Sequence, residues 1–301
     1  MPSVVKKDRF AAYHPLVNFV YFTLVIGFSM ALSHPLAQGI SLLSACIYAV
    51  QAEGKKAVLF ALKWCLPVML LTAFVNPAFS HEGVTVLLYL PTGNPLTLES
   101  ILYGVSSGTM IATVMLWFAN FNRVISSDKF IYLFGRIIPA MSLVLSMTLR
   151  FIPKFKHQMH AVIDAQKSIG RDLSEGTLLH RIKIAITVLS ILITWALENA
   201  IETADSMKSR GYGLRGRTAF SIYRMDERDQ MAFLYLGFCA LYLLTGAMVS
   251  AFGFRYFPGI RYIGLNAVTL SFQLVYFSLC IMPVVLNWAE ERKWKAIHSN
   301  M

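Results

Sequence analysis

The stretch Ile184–Gly211, IAITVLSILITWALENAIETADSMKSRG, decides how this chain is read. Its first fourteen residues, Ile184–Leu197, carry no charge, and polar groups then enter at Glu198, Glu202, Asp205, Lys208 and Arg210. Neither Pro nor Gly interrupts it before Gly211, a residue type that accepts the left-handed backbone angles of a helix C-cap. The pattern predicts one long helix that begins near Leu178, in or near lipid, emerges into water and stops at Gly211.

Upstream the same design is written once more. Pro139–Leu149 is apolar, and Arg150 and Pro153 lead into a helical segment with mixed faces. Phe155, Met159, Val162, Ile163 and Gln166 fall on one stripe at helical spacing, with Lys154, Lys156, His157, Asp164 and Lys167 largely elsewhere. Gly170 is the expected stop. Two helices that leave lipid and end at glycines form a lever arm with two exposed tips. A solvated helical hairpin that merely connects spans has the same periodicity.

The composition around this pair points to a membrane. Of 301 residues, 56% are hydrophobic and 14% charged, against about 25% charged in soluble domains. A crossing needs about 20 mostly apolar residues. Leu16–Leu32, Leu36–Gln51, Ala57–Val75, Ile101–Ala119, Met231–Ala251 and Leu265–Leu286 are the candidates. Between the third and fourth lies an outer segment, 76–100, broken by Pro77, Gly83, Pro91, Gly93 and Pro95; its apolar middle, Val84–Leu90, is expected to dip into the membrane. The expected fold class is all-α, a polytopic helical membrane protein with about five to eight membrane-embedded helices and two long cytoplasmic ones. The expected organisation is 1–120 as N-terminal spans, 121–230 as a cytoplasmic domain holding the two long helices, and 231–301 as a membrane hairpin with a cytoplasmic tail.

Charge sets the orientation. The net charge is +11, residues 121–230 hold sixteen Lys and Arg against ten Asp and Glu, and 76–100 hold no Lys or Arg. The positive-inside rule then places both termini and the middle segment in the cytoplasm, with Arg255 and Arg261 in the last outer loop as exceptions. The basic residues sit between apolar runs of membrane length, which argues against a nucleic-acid surface. Lys6, Lys7 and Arg9 precede a long apolar run without a small-residue cleavage site, so a retained first span is expected. Cys46, Cys65, Cys239 and Cys280 lie in apolar segments without Cys-x-x-Cys spacing and read as packed small hydrophobes.

Catalytic motifs are weak by comparison. No Gly-x-x-x-x-Gly-Lys-Ser/Thr occurs, so the chain has no P-loop of its own. Gly211, Gly213 and Gly216 match Gly-x-Gly-x-x-Gly, but a helix precedes them where a nucleotide fold needs a strand, and a turn is the better reading. Gly104–Gly108 matches Gly-x-Ser-x-Gly inside an apolar helix, where small residues that let two helices approach are the better account. His157, His160 and Asp164 share a face, yet no fourth ligand accompanies them and no metal site is assigned. Glu198, Glu202 and Asp205 also share a face, which reads as a charged docking or solvated surface. No catalytic residue is assigned.

The segment above these is Ala204–Gly213, ADSMKSRGYG. Arg210 ends a helix, where a cation suits the negative end of the macrodipole. Its planar fork can engage a carboxylate or carbonyls with fixed geometry, and Ala200 and Ala204 leave room for close approach.

With these residues in view, the sequence resembles the transmembrane T component of energy-coupling factor (ECF) transporters, the CbiQ-like family, which carries two coupling helices each ending in an Ala-Arg-Gly-type motif. Ser209-Arg210-Gly211, followed by Tyr212, Gly213, Arg215 and Arg217, is similar to the second motif. Ala165–Gly170 sits where the first belongs, and Arg150–Pro153 resembles the element leading into it. His14-Pro15, Asn76-Pro77, Gly83–Thr85 and Thr97–Ser100 extend the resemblance over nearly the whole chain. One departure stands out: Ile169 occupies the place of the family's first arginine, and either Arg171 or Lys167 stands in for it.

The resemblance implies a non-catalytic subunit in a bacterial plasma membrane. Two ABC-type ATPase subunits would bind ATP and magnesium, with no cofactor in this chain. Ser209, Arg210 and Gly211 would dock one ATPase, and Ser168, Ile169, Gly170 and Arg171 the other. A separate S component would bind the cargo, a vitamin or transition-metal ion, and the coupling helices would pass the ATPase motion to it. Two rivals follow from other classes: a self-sufficient secondary transporter or channel, which needs charged groups in its spans where Lys63 is nearly alone, and an intramembrane enzyme, for which the adjacent acid pair Glu290-Glu291 lies in the terminal tail.

Overall fold

A computed structural model describes residues 8–80, 82–89, 95–135, 139–172, 174, 177–214, 223–249, 251–262, 264 and 266–299. The chain divides into two compact units, one made of residues 1–130 and 223–301 and the other of 131–222. Each is considered by itself.

The first unit is a helical bundle. Its helices are α1 (Pro15–Ala31), α2 (Pro35–Glu53), α3 (Lys55–Phe60), a π-helical turn over Ala61–Cys65 running into α4 (Leu66–Phe79), and α5 (Leu98–Val124). A short α6 (Ser127–Gly135) follows α5, and α9 (Glu227–Met248) and α10 (Ala267–Ser299) complete the bundle. Between α6 and α9, in the second unit, lie α7 (Pro139–Ser168) and α8 (Leu178–Ser209). Six helices among the described residues are long and apolar enough to cross a membrane, including the composite 55–79 helix and α8, and α1 is a shorter apolar helix. The chain is an all-α polytopic membrane protein.

Two helices start in the same way. His14 and His34 are N-caps with Pro at the first helical position. Each ring accepts a hydrogen bond through Nδ1 from the backbone N–H two residues on, at 3.2 Å to Leu16 and 3.3 Å to Leu36. Proline suits this place because its missing N–H would be unpaired there anyway. Burial lowers the pKa of His34 from its ordinary value. The folded chain therefore resists a proton that the unfolded chain accepts, so this contribution to stability is intact above about pH 6.5 and is lost as pH falls below it. We expect the melting temperature of the purified protein to drop between about pH 7 and pH 5.5. His34→Asn, which caps without titrating, should flatten that drop; an unchanged slope would refute the assignment.

The core is aromatic with internal polar partners. Tyr21, Tyr48, Trp117 and Tyr276 are fully buried. Tyr21 donates to the Cys280 carbonyl at 3.0 Å and the Trp117 indole to Ser41 at 2.9 Å, while Ser29 joins Ser41 at 2.6 Å and Tyr276 at 3.1 Å. In lipid a polar atom must find its partner within the protein, and these bonds across α1, α2, α5 and α10 meet that demand. Cys65, Cys239 and Cys280 are buried free thiols in the same interior.

One end of the bundle is clamped by the first described residues. Asp8 accepts from Tyr48 at 2.7 Å and from Asn287 at 3.0 Å, and pairs with Arg123. The Asn287 oxygen takes the N–H groups of Arg9 and Phe10 at 2.9 and 3.1 Å, and Lys129 donates to the Ala11 carbonyl. The ends of α2, α5 and α10 thus share one carboxylate.

At the opposite end are two short hairpins, β1 (Val86–Tyr89) with β2 (Pro95–Thr97), and β3 (Phe254–Arg255) with β4 (Arg261–Tyr262). Within the apolar segment Val84–Leu90, Val86–Tyr89 is strand, with Leu90 outside the described residues. A strand of four residues cannot cross a bilayer, for which about 9–11 are needed. Arg255 and Arg261, the exceptions in the charge pattern, face each other in the second hairpin.

The helices α4 and α5 pack closely through the small residues of Gly104–Gly108. A Cβ at Gly108 would lie 2.6 Å from Thr72 Oγ1 and 2.8 Å from the Met69 carbonyl, and one at Gly104 would lie 3.1 Å from Asn76. Asn76 donates to Ser107 at 3.0 Å across the same seam. The motif serves close approach, as small residues do between membrane helices.

Candidate functional site

The second unit carries the candidate site on α7 and α8. Although proline disfavours a helix interior, α7 runs unbroken through Pro153 from Pro139 to Ser168. In sequence Pro153 falls between two aromatic anchors, Phe151 and Phe155, which meet Trp195 of α8 at 5.6 and 6.4 Å. Lys154 adds a cation–π contact with the same indole at 5.7 Å. Further on, Val162, Ile184, Val188 and Leu192 form a buried cluster with Phe155, Met159 and Ile163 against it. The stripe read from the sequence is the face that packs; the Gln166 oxygen is enclosed and has no hydrogen-bond partner among the described residues.

Early α7 residues meet late α8 residues, so the helices run with opposite sense. The contact is centred near His157 and Leu189. At 1.5 Å per residue the α7 tip lies about 20 Å from that centre and the α8 tip about 30 Å, in opposite directions. The two sets of predicted site residues are not brought together; the structure holds them far apart on one rod-like pair.

Both tips close with the same backbone motif. At the first, Gly170 has φ 77°, its N–H bonds to the Lys167 carbonyl at 3.0 Å, and the Arg171 N–H to the Gln166 carbonyl at 3.0 Å. At the second, Gly211 has φ 78°, its N–H bonds to the Lys208 carbonyl at 3.0 Å, and the Tyr212 N–H to the Met207 carbonyl at 3.0 Å. This pair of bonds is the Schellman cap, and the left-handed residue in it favours glycine. The shared geometry aligns Lys167-Ser168-Ile169-Gly170-Arg171 with Lys208-Ser209-Arg210-Gly211-Tyr212. The sequence by itself already sets Ile169 in the place of the first motif's arginine, with Lys-Ser-x-Gly at both helix ends as the signal; the structure adds that the two ends share one cap geometry.

Arg210 occupies the cap position of α8, with φ −86° and ψ 9°, and Ile169 occupies the same position on α7, 63% exposed. Arg171 lies beyond the left-handed glycine, where the chain has already turned. Among the described residues neither the Arg171 nor the Arg210 guanidinium has a side-chain partner. Lys167 is different, paired with Asp172 at 3.2 Å. The Asp172 carboxyl is pushed down to about 2, first by the Ser174 N–H, then by the Ser174 hydroxyl and Lys167. Of the two cations near Ile169, Lys167 is tied back and Arg171 is available. Ser168 and Ser209 spend their hydroxyls on their own helices, at 2.9 Å to the Asp164 and Ser206 carbonyls. Arg215, Gly216 and Arg217 lie outside the described residues.

The acidic and histidine residues singled out on α7 and α8 lie apart or are otherwise engaged. The His160 ring is engaged with the Lys156 carbonyl at 2.8 Å, and among the described residues no three His, Cys, Asp or Glu side chains come together to hold a metal. Glu198, Glu202 and Asp205 are exposed along α8. Beside them runs an uncovered apolar stripe of Ile182, Ile186, Leu189, Ile193, Leu197 and Ile201. The arrangement suits mechanical docking at two tips and along one apolar face.

Comparison with known proteins adds a lineage to this geometry. The family CbiQ, described as cobalt transport protein, matches residues 15–220. The energy-coupling factor transporter transmembrane protein EcfT of Lactococcus lactis subsp. cremoris is 34% identical over 111 residues, 36% of this chain and 42% of that protein. EcfT 1 of Listeria monocytogenes is 34% identical over 110 residues, 36% of this chain and 40% of its own length. EcfT of Staphylococcus aureus is 32% identical over 131 residues, covering 41% and 48%. The matched stretches thus span less than half the length of these relatives.

Proposed function

The chain belongs to the CbiQ family of cobalt transport proteins, and from that premise we propose that it is the transmembrane coupling subunit of an ATP-driven importer of the energy-coupling factor type. One observation carries the reading: two long helices of opposite sense end in the same Schellman cap, each presenting an exposed tip. Two tips suit two motor subunits. In this reading one ABC-type ATPase binds Ser209, Arg210 and Gly211, and the other binds Ser168, Ile169, Gly170 and Arg171. Arg171 supplies the cation at the first tip, because Lys167 is held by Asp172.

The chain performs no chemistry in this scheme. ATP and magnesium are bound by the ATPases, and closure and opening of that pair push on the two docked tips. A pair packed through Phe151, Phe155 and Trp195 moves as a stiff element, which is what transmission between two states requires. A substrate-binding S component rides the uncovered apolar stripe of α8, and the cargo, a vitamin or a transition-metal ion, is chosen by that partner. Residues 121–230 serve as the coupling domain. Both termini face the cytoplasm of a bacterial cell, where the basic middle segment favours the inner side.

The test is reconstitution in proteoliposomes with ECF-type ATPases and an S component. Cargo uptake is expected only when all subunits and internal ATP are present. Uptake by the lone chain without nucleotide would overturn the proposal and favour a self-sufficient transporter.

A further inference from the structure

The two hairpins at one end of the bundle are finished differently. Around β3–β4 the chain covers its own apolar groups: Phe252 and Tyr256 are buried, Tyr103 of α5 meets Tyr256 at 5.6 Å and Phe257 at 5.3 Å, and His34 meets Phe254 at 5.8 Å. Around β1 nothing comparable happens. Val84 is 74% exposed, Leu88 64% and Tyr89 68%, with Val86 and Leu87 open as well, and Phe79, at the end of α4, is 83% exposed. Soluble surfaces rarely leave so many neighbouring apolar side chains open to water without a partner.

The root of this hairpin is rigidly fixed. The Thr85 N–H and hydroxyl donate to Glu99 at 3.2 and 2.8 Å, Thr97 donates to the Glu82 carbonyl at 2.9 Å, and Ser100 to the Ser80 carbonyl at 2.7 Å. These bonds hold the strands against the first turn of α5 and the last of α4, both membrane-crossing helices. The hairpin therefore emerges where two spans meet the bilayer surface, and the exposed Phe79 continues its apolar face onto the lipid-facing side of α4. Charge does not oppose contact with lipid. Residues 76–100 contain no Lys or Arg, and of their two acids Glu99 is buried and hydrogen-bonded.

We propose that β1 and its flank, Val84 to Tyr89 with Phe79, are an interfacial anchor seated in the headgroup–acyl boundary of the bilayer at this end of the bundle. The occupant of the apolar face is phospholipid. A two-stranded hairpin has unpaired edge N–H and C=O groups that hydrocarbon cannot satisfy, so the backbone stays at headgroup level, where water reaches it. The side chains extend into the acyl boundary, and Tyr89 is a residue type that favours that zone. Such an anchor fixes the depth and tilt of α4 and α5.

The experiment places a nitroxide at Leu88→Cys, Val84→Cys or Glu82→Cys in the full chain. The protein is reconstituted in palmitoyl-oleoyl phosphatidylcholine nanodiscs, with the unsubstituted chain carried through labelling as background for its native thiols. Collision with oxygen relative to a water-soluble nickel chelate is expected to be several-fold higher at Leu88 and Val84 than at Glu82. Equal ratios at the three positions, with the chelate reaching all of them, would place the hairpin in water and overturn the proposal. Protection of Leu88 from both reagents would overturn it too, indicating a second copy or another protein surface as the occupant. Because all labelled side chains are exposed in the structure, folding is monitored by an unchanged elution profile.

Discussion

Replacing Arg210 with Glu is expected to reduce ATP-dependent uptake to background and to strip the ATPases from the purified complex, while membrane insertion stays normal. Arg210 sits at the cap of a 32-residue helix, without an intrachain partner among the described residues, so its guanidinium is available to a protein beyond the tip. Removing one partner of a buried, hydrogen-bonded charge pair at an interface costs about 2–5 kcal/mol, roughly a 30-fold to several-thousand-fold loss of affinity. Reversal to a carboxylate adds repulsion at the same spot. Arg171→Glu in the same assay should be milder, because Arg171 follows the left-handed Gly170 and Ile169 fills the position equivalent to Arg210. The measurement is co-purification of the ATPases and uptake into proteoliposomes. Wild-type uptake by the Arg210→Glu variant, or a larger loss from Arg171→Glu, would contradict the assignment.

The second large effect is structural. Gly108→Ala should destabilise the bundle markedly, and Gly108→Val should prevent α4 and α5 from packing as observed. The added Cβ would meet the Met69 carbonyl at 2.8 Å, and backbone cannot rotate aside as a flexible side chain can. Overpacking a well-filled site costs about 1–3 kcal/mol and occasionally more; a backbone clash belongs at the upper end. Gly104→Ala should cost less, since its nearest neighbour would be 3.1 Å away, and Gly39→Ala, with nothing within 4 Å, should be neutral. Unfolding by sodium dodecyl sulfate gives the order directly. If Gly39→Ala and Gly108→Ala unfold alike, the close approach is not what the glycine provides.

Particular elements show how far the sequence reads true. The apolar-to-polar transition at Leu197–Glu198 and the stop at Gly211 predict α8 well, and the stripe of Phe155, Met159, Val162 and Ile163 is the packing face of α7. Both are local signals, since periodicity and hydropathy sum over neighbours within a few turns. Val84–Leu90 shows the limit. Its apolar run gives no sign of a strand, yet Val86–Tyr89 pairs with Pro95–Thr97, and that pairing depends on a segment outside the run. Pro153 shows it again: local rules favour a helix boundary there, yet packing on Trp195 accompanies a helix that continues through.

What the sequence determined by itself is the membrane character, the two long helices and their glycine stops, because composition and cap chemistry act over adjacent residues. Only the tertiary structure decided that the two tips point in opposite directions, that both close with the same Schellman cap, and that Lys167 is tied to Asp172. The tip directions and the Lys167–Asp172 pair depend on which residues touch, and the cap bonds on dihedral angles that a linear pattern does not specify.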